Sequence, residues 1–384
     1  MAVADRLAPF GTTVFARISA QAAAMGAVNL GQGFPDFDGP DFVKDAAKAA
    51  IDEGRNQYCS MQGIPELRQA IASYLGRREP GFDVDPDDEV TVTPGCTGAI
   101  AATMLGLLNP GDEVILFEPY YDCYRADCAL AGATPRFVTL RGPDFTFDES
   151  DLRSACTKKT RAILVNTPHN PTGRVFTRDE LQAVANLCVE RDLIAISDEV
   201  YEELVFEGEH LRLATFPGMR ERTLTLSSLG KTFSLTGWKI GWAVGPANLT
   251  RAVRAANQFL IYCVATPLQR AAAAALQAPQ SYYDELLTDY RAKRDLLVSG
   301  LRDAGFKVDA PQGTYFVLAD HTPFGDESDE AFCQRMMEQA GVAAIPPTSF
   351  YENKDEGKPY VRFAFCKTNE LLEEACSRLK PLRG

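Results

Sequence analysis

Residues 226–241 read Leu-Ser-Ser-Leu-Gly-Lys-Thr-Phe-Ser-Leu-Thr-Gly-Trp-Lys-Ile-Gly, and they hold the strongest candidate for chemistry in the chain. An alternating, β-branched run over 223–226 stops at Ser227 and Ser228, and Lys231 follows Gly230 directly. The lysine is therefore expected at the carboxyl end of a strand, the side on which open α/β sheets bind ligands. Gly230 lets backbone approach a ligand closely, while the two serine hydroxyls and the Lys239 ammonium suit a phosphate. A lysine taken at random is a solvated surface group; the glycine spacing and apolar flanks oppose that here. Lysine, hydroxyls and a second cation together imply a phosphorylated aldehyde.

A lysine amine attacks carbonyls only when its surroundings lower its pKa, and the aldehyde it captures in such a setting is pyridoxal phosphate. Other stretches fit that cofactor. Asp198 ends an apolar run and either caps a following helix or keeps a pyridine nitrogen protonated, which makes the ring an electron sink. Tyr201 lies three residues on, in position to donate to a phenolate oxygen or simply to pack. Asn166 and Asn170 sit four apart in a loop stiffened by Pro168 and Pro171, with a cis bond before Pro171 in keeping with that turn. His169 is a weaker candidate base, since nothing nearby in sequence orients it. Thr-Pro-Gly-Cys-Thr-Gly-Ala at 93–99 joins a strand to a helix, where free N–H groups attract an anion. Tyr120 and Tyr121 are candidates for stacking on a flat ring, or for core. Arg362 interrupts an apolar alternating strand, which calls for a carboxylate, either internal or belonging to a substrate.

The whole chain limits the alternatives. Its 384 residues fit two domains, and a hydrophobic content of 46% is ample to bury both cores. A formal net charge of -13 argues against nucleic acid or anionic membranes as partners. The first ten residues lack a secretory pattern, no apolar run is long enough to span a membrane, and ten cysteines occur singly. Reduced thiols in a cytoplasmic protein are expected, and with three histidines no metal site is.

Short β-rich runs fall near 89–93, 113–117, 135–140, 162–166, 194–198, 223–227 and 240–244, with helical runs between them, including 98–108 and 178–191. That alternation predicts an α/β fold with a mostly parallel seven-stranded sheet sandwiched by helices. Residues 4–25 read as one helix. From 282 the pattern becomes a smaller α+β unit. The expected division is an N-terminal segment, 1–45, packing with a small C-terminal domain, 282–384, and a large domain, 46–281.

Asn29 through Asp36, Asn166 through Gly173, Ser197 through Tyr201 and Ser228 through Gly241 together resemble the fold type I pyridoxal-phosphate aminotransferases of class I/II, close to the kynurenine and glutamine transaminase branch and to bacterial N-succinyldiaminopimelate aminotransferases. The resemblance covers essentially the whole length. It implies that Lys231 bonds the cofactor aldehyde and, once released, moves the proton between substrate α-carbon and cofactor. It further implies Asp198 at the pyridine nitrogen, Asn170 and Tyr201 at the phenolate oxygen, and Tyr121 stacked on the ring. Phosphate falls to the backbone of Cys96 and Thr97, to Ser228 and Lys239, and to Tyr58 reaching across from the second subunit of a homodimer. The substrate carboxylate falls to Arg362, Asn166 and the Gly33 backbone, with Phe15 near the side-chain pocket. Lys239 stands where the wider family commonly has arginine, keeping the charge and losing the fork.

The implied reaction is ping-pong transfer of an amino group from an L-amino acid of kynurenine, glutamine, methionine or aromatic type to a 2-oxo acid, expected to be 2-oxoglutarate. An N-succinyl-LL-diaminopimelate aminotransferase is the alternative, with a cysteine-conjugate β-lyase or a non-catalytic ligand sensor behind it. No dinucleotide fingerprint follows the first strand of the sheet, against a dehydrogenase. Arg17, Arg125 and Arg174 are available, but the sequence assigns none of them to a second carboxylate.

Overall fold

The computed structural model describes residues 3–383. Among them are eleven strands: β1 Val28–Asn29, β2 Val90–Pro94, β3 Glu113–Glu118, β4 Thr134–Thr139, β5 Thr160–Asn166, β6 Ile194–Asp198, β7 Thr223–Ser228, β8 Ile240–Val244, β9 Phe316–Asp320, β10 Val342–Ala343 and β11 Tyr360–Ala364. Strands β2 to β8 form one sheet in the order β2-β8-β7-β6-β5-β3-β4. All pairs are parallel except those of β8, which runs antiparallel to both neighbours.

Alternation along the strands explains why both faces are covered. Leu164, Ile196 and Leu226 share a core with Ala99 and Ile100 of the helix Gly95–Leu107. Their neighbours Ile163, Val165 and Ala195 join the opposite core, with Leu181 and Val184 of the helix Arg178–Arg191. Successive side chains point to opposite faces, so strands buried on both sides read as near-continuous apolar runs. The helix Arg178–Arg191 starts where the sequence marks it, at a capping box in which Thr177 and Glu180 satisfy each other's backbone N–H.

Residues 4–25 do not make one helix. A 3-10 turn, Asp5–Leu7, is followed by a break, and the α-helix runs only over Val14–Met25 from a Thr13 cap. Pro9 and Gly11 lie in the break, where one lacks an N–H and the other costs backbone entropy. The helix Gly95–Leu107 conversely starts three residues before its expected position at 98, leaving almost no loop after β2.

Beyond the sheet, β1 pairs in parallel with β10, and β9 pairs antiparallel with β11. Leu297, Leu301 and Ala304 of the long helix Gln280–Ala304 share a core with Leu372, Ala375 and Leu379 of the helix Asn369–Leu379. The Ala364 amide donates to Leu30 O at 2.7 Å and the Lys367 ammonium to Phe34 O at 2.7 Å. These bonds hold the 30–34 loop against β11, facing the carboxyl ends of the parallel strands.

Candidate active site

The carboxyl ends of β5, β6 and β7 converge with the start of the helix after β2. Because β8 is antiparallel, its beginning lies there too, with Thr93 opposite Gly241 and Pro94 opposite Ile240. A Cβ on Gly241 would lie 2.3 Å from the Gly95 carbonyl carbon and 2.6 Å from Cys96 N, so only glycine lets β8 approach this helix N-terminus. Lys239 precedes it in a left-handed conformation, φ 54°. Its Cε and Nζ pack over Gly95. An ammonium, the Ser228 hydroxyl and the free N–H groups of a helix start thus form an anion cradle.

Asp198, at the end of β6, is buried, and its carboxylate accepts from Tyr124 OH at 2.7 Å, Cys96 Sγ at 3.4 Å and Val200 N at 3.2 Å. Burial raises its pKa above the usual carboxylate value, while the donors, Tyr124 first, act against that rise. No cation pairs with it among the described residues. Lys231 Nζ donates to Tyr315 OH at 2.7 Å and to Gly33 O at 3.3 Å. Desolvation pushes its pKa down to about 8. An amine so tuned has a substantial neutral, nucleophilic fraction at physiological pH.

Arg362 of β11 is 1% exposed and forms no ion pair with a carboxylate among the described residues. Its guanidinium donates to Gly31 O at 2.7 Å and to Asn170 Oδ1 at 3.3 Å, and its Nε is unpartnered. Burial lowers its pKa to about 10. The Phe316, Phe15 and Phe350 rings lie 4.3, 5.0 and 5.3 Å from its guanidinium carbon. A buried, fork-shaped cation without a protein carboxylate is built to receive one from a ligand. Asn166 ties the site together: its Nδ2 donates to Asp198 O at 2.9 Å and its Oδ1 accepts from Asn170 N at 2.8 Å. The Asn170–Pro171 peptide is cis.

Phe15, Gly33, Cys96, Thr97, Tyr121, Asn166, Asn170, Asp198, Tyr201, Ser228, Lys231, Lys239 and Arg362 all line a single pocket of about 270 Å³. Tyr58 does not: it is 85% exposed, its ring edge-on to Tyr262 at 5.5 Å. Ser227 is also outside. Strand alternation turns its hydroxyl the other way, to Glu202 at 3.2 Å. Tyr120 is core, stacked on Phe137. His169 is buried against Phe176 and bonded to Thr172 Oγ1 at 2.9 Å, and burial takes its pKa down to about 3, so it is not the base. Tyr124, Tyr315 and Phe316 are site residues that the sequence reading missed. Tyr124 was findable, three residues after Tyr121 at the start of a helix; Tyr315 reaches Lys231 only through tertiary packing. Glu199, Glu202 and His210 bring potential metal ligands within 4.8 Å of one another. Arg212 already balances that charge, bonded to Glu199 and, at 2.7 Å, to Glu202.

The fold and pocket define an enzyme that combines a low-pKa amine, an anion cradle and a carboxylate receptor at the carboxyl edge of a sheet. Comparison with known proteins agrees. The family model "Aminotransferase class I and II" matches residues 26–379. A probable N-succinyldiaminopimelate aminotransferase of Mycobacterium tuberculosis is 49% identical, over 98% of each chain. Mouse kynurenine–oxoglutarate transaminase 3 is 41% identical, covering 97% of this chain and 88% of that one. Methionine aminotransferase of Escherichia coli is 38% identical over 98% of each. The solved structure of the N-succinyldiaminopimelate aminotransferase from Mycobacterium tuberculosis superposes with a TM-score of 0.96, covering 99% of this chain and 100% of that one. The chain belongs to the class I and II aminotransferases, and it is a pyridoxal-phosphate-dependent transferase that acts on amino acids and oxo acids.

The pocket fits that cofactor on its own chemistry. Asp198 is a buried carboxylate that has donors but no cation, and a pyridinium N–H supplies one. The cradle beside Gly241 suits the phosphate, and Lys231 the aldehyde. No helix among the described residues is long and apolar enough to cross a membrane.

Proposed function

We propose that this aminotransferase takes its amino group from an L-amino acid with a large uncharged side chain, of methionine, glutamine, aromatic or kynurenine type, and passes it to 2-oxoglutarate. For the donor, the observation that carries this reading is the charge of the pocket wall; for the acceptor, support comes from the likeness to kynurenine–oxoglutarate transaminase 3. Among the described lining residues the cations are Lys231, Lys239 and Arg362. With the first two committed to aldehyde and phosphate, one remains for the α-carboxylate. Phe15, Phe34 and Phe316 offer a donor side chain apolar surface.

When bound, pyridoxal phosphate supplies the carbonyl that captures the amino group and the ring that accepts the electron pair left at the α-carbon. Asp198 holds a proton at the ring nitrogen, its carboxylate oriented by Tyr124 and Cys96. Cys96 and Thr97 backbone, Ser228 and Lys239 would hold the phosphate, and Tyr121 would offer its ring to the pyridine. Asn170, whose Oδ1 is turned to Arg362, has its Nδ2 left for the ring oxygen, shared with Tyr201. Arg362, with Asn166 and the Gly33 backbone, orients the α-carboxylate, and Lys231 Nζ takes the α-proton and returns it. A second copy of the chain supplies Tyr58 to the phosphate, making the enzyme a homodimer. Support for this comes from the exposed side chains of Tyr58, Phe259, Leu260 and Tyr262, with Tyr58 edge-on to Tyr262 at 5.5 Å, an apolar group of the kind that marks an interaction surface.

The second reading, N-succinyl-LL-diaminopimelate as donor, is favoured by the 49% identity to the mycobacterial relative. A panel separates the two. Donors are added to the holoenzyme and loss of the cofactor's visible band is followed, then 2-oxoglutarate is added to restore it. Conversion by methionine, glutamine or kynurenine at micromolar to millimolar concentration supports the first reading, and exclusive conversion by the succinylated donor overturns it. Pyruvate released from cysteine conjugates without an oxo acid would reveal β-lyase activity.

A further inference from the structure

Tyr315 lies beneath Lys231, outside every role given above. It is fully buried, its ring stacked on Tyr290 at 6.0 Å and edge-on to Tyr201 at 5.2 Å. Its hydroxyl donates to Gly33 O at 2.6 Å and accepts from Lys231 Nζ at 2.7 Å. The backbone holds it there at a cost. Thr314, just before it, sits at φ 64°, a left-handed conformation that threonine rarely adopts. That turn is pinned by the Thr314 amide on Leu204 O at 2.9 Å and by Phe316 N on Thr314 Oγ1 at 3.1 Å. From the other side Gly33 meets the same aromatic pair, since a Cβ there would lie 2.5 Å from Phe316 Cζ.

The consequence follows from counting protons. A phenol has one hydrogen, and the acceptors facing it are the Gly33 carbonyl at 2.6 Å and the Tyr201 hydroxyl, so with either partner it points away from Lys231. The phenol oxygen therefore faces Lys231 as an acceptor. A neutral lysine amine has two N–H bonds, and both have partners here, Tyr315 OH and Gly33 O. Its lone pair is left pointing elsewhere.

We propose that Tyr315 is a positioning residue for transamination: by bridging Lys231 Nζ and the Gly33 carbonyl, its hydroxyl aims the lone pair of the released Lys231 amine into the pocket, toward the substrate α-carbon. The proposal rests on Lys231 being the amine that bonds the cofactor and moves the proton. Burial acts on this amine most; of the other groups facing it, Cys366 and Asp198 favour its charged form, Arg362 and Lys239 disfavour it, and the Tyr201 ring lies 5.6 Å from Nζ.

The test is Tyr315→Phe, which keeps the ring and removes the bridge. In the holoenzyme kcat falls about ten- to a hundredfold while KM for the donor stays nearly unchanged, the signature of a misaimed base. In the full chain before cofactor loading, the pH midpoint for reductive methylation of Lys231, followed by peptide mass spectrometry, moves down, because the ammonium has lost an acceptor. A lower melting temperature and weaker cofactor retention with an unmoved midpoint would mark a merely structural role and overturn the proposal. Should the phenylalanine variant not fold, 3-fluorotyrosine at 315 keeps the shape and weakens the acceptor; the midpoint again falls, and a fixed midpoint again overturns it. Lys231→Ala separates the two levels: if that variant retains the cofactor's visible band and transaminates, the assignment of Lys231 itself has failed.

Discussion

At the residue scale the site is a set of charges kept from their usual partners. Asp198 has hydrogen-bond donors but no cation, Arg362 has carbonyl acceptors but no carboxylate, and Lys231 has a phenol and a carbonyl. Each pays in desolvation for what a ligand later supplies, so the ligand-free chain is less stable than its isosteric variants. Lys231 gives this a pH signature. Its folded pKa of about 8 lies below the ordinary 10.5. Below pH 8 both folded and unfolded chains hold the proton, and the cost of the buried ammonium is fully present. Between about 8 and 10.5 the unfolded chain binds more protons than the folded one, so folding stability rises with pH. Without cofactor, Lys231→Met is therefore more stable than the parent at pH 7, and the parent closes the gap as pH rises through that window. Urea midpoints of both chains across pH 7 to about 10.5 measure it, and a gap independent of pH would contradict the lowered pKa.

At the element scale, the junction of β2, β8 and the helix Gly95–Leu107 forms the anion cradle proposed to hold the phosphate. Gly241→Ala drives a methyl group into the Gly95 and Cys96 backbone, which has no side-chain freedom with which to yield. The expected result is a loss of about 1–3 kcal/mol of stability from overpacking. Cofactor affinity falls with it, as the N–H groups of the helix start move off the phosphate. Gly237→Ala, where an added Cβ meets nothing within 4 Å, is the control and leaves both unchanged. Cofactor titration by fluorescence alongside denaturation tests the pair. This scale was also the most legible in sequence. The runs at 194–198 and 240–244 coincide with β6 and β8, because β-branched residues bounded by turn formers leave little freedom of register. Asp198 and Asn166 are legible for the same reason, each at the end of such a run, and Lys231 lies in the single helical turn, Leu229–Thr232, that follows β7. Ser227 was misread because the side of the sheet a strand-end residue faces depends on the pleat, which a motif does not state. Tyr315 was invisible because its partner lies 84 residues away and they meet through the left-handed turn at Thr314.

At the scale of the whole molecule, one chain carries every residue expected of the pocket except Tyr58, and Tyr58 lies on an exposed face with Phe259, 87% exposed, and Tyr262, 50% exposed. These exposed aromatic side chains fit the proposed two-fold pair, in which each chain's Tyr58 would complete the other's pocket. Such a pair allows complementation. Tyr58→Ala leaves its own Lys231 intact but withholds the tyrosine from its partner; Lys231→Ala withholds the amine but still offers Tyr58. Each variant alone is impaired at both sites. When the two are unfolded together and refolded as a mixture, random pairing makes about half of the dimers hybrid, and each hybrid has one site with both residues intact, about a quarter of all sites. Activity of the mixture should exceed the average of the two parents, by about a quarter of wild-type activity where Tyr58→Ala alone is nearly inactive, and sedimentation should report dimers throughout. Activity no higher than the average of the two parents would mean that Tyr58 serves its own chain's pocket or none, and the shared site would have to be abandoned while the chemistry at Lys231 stood.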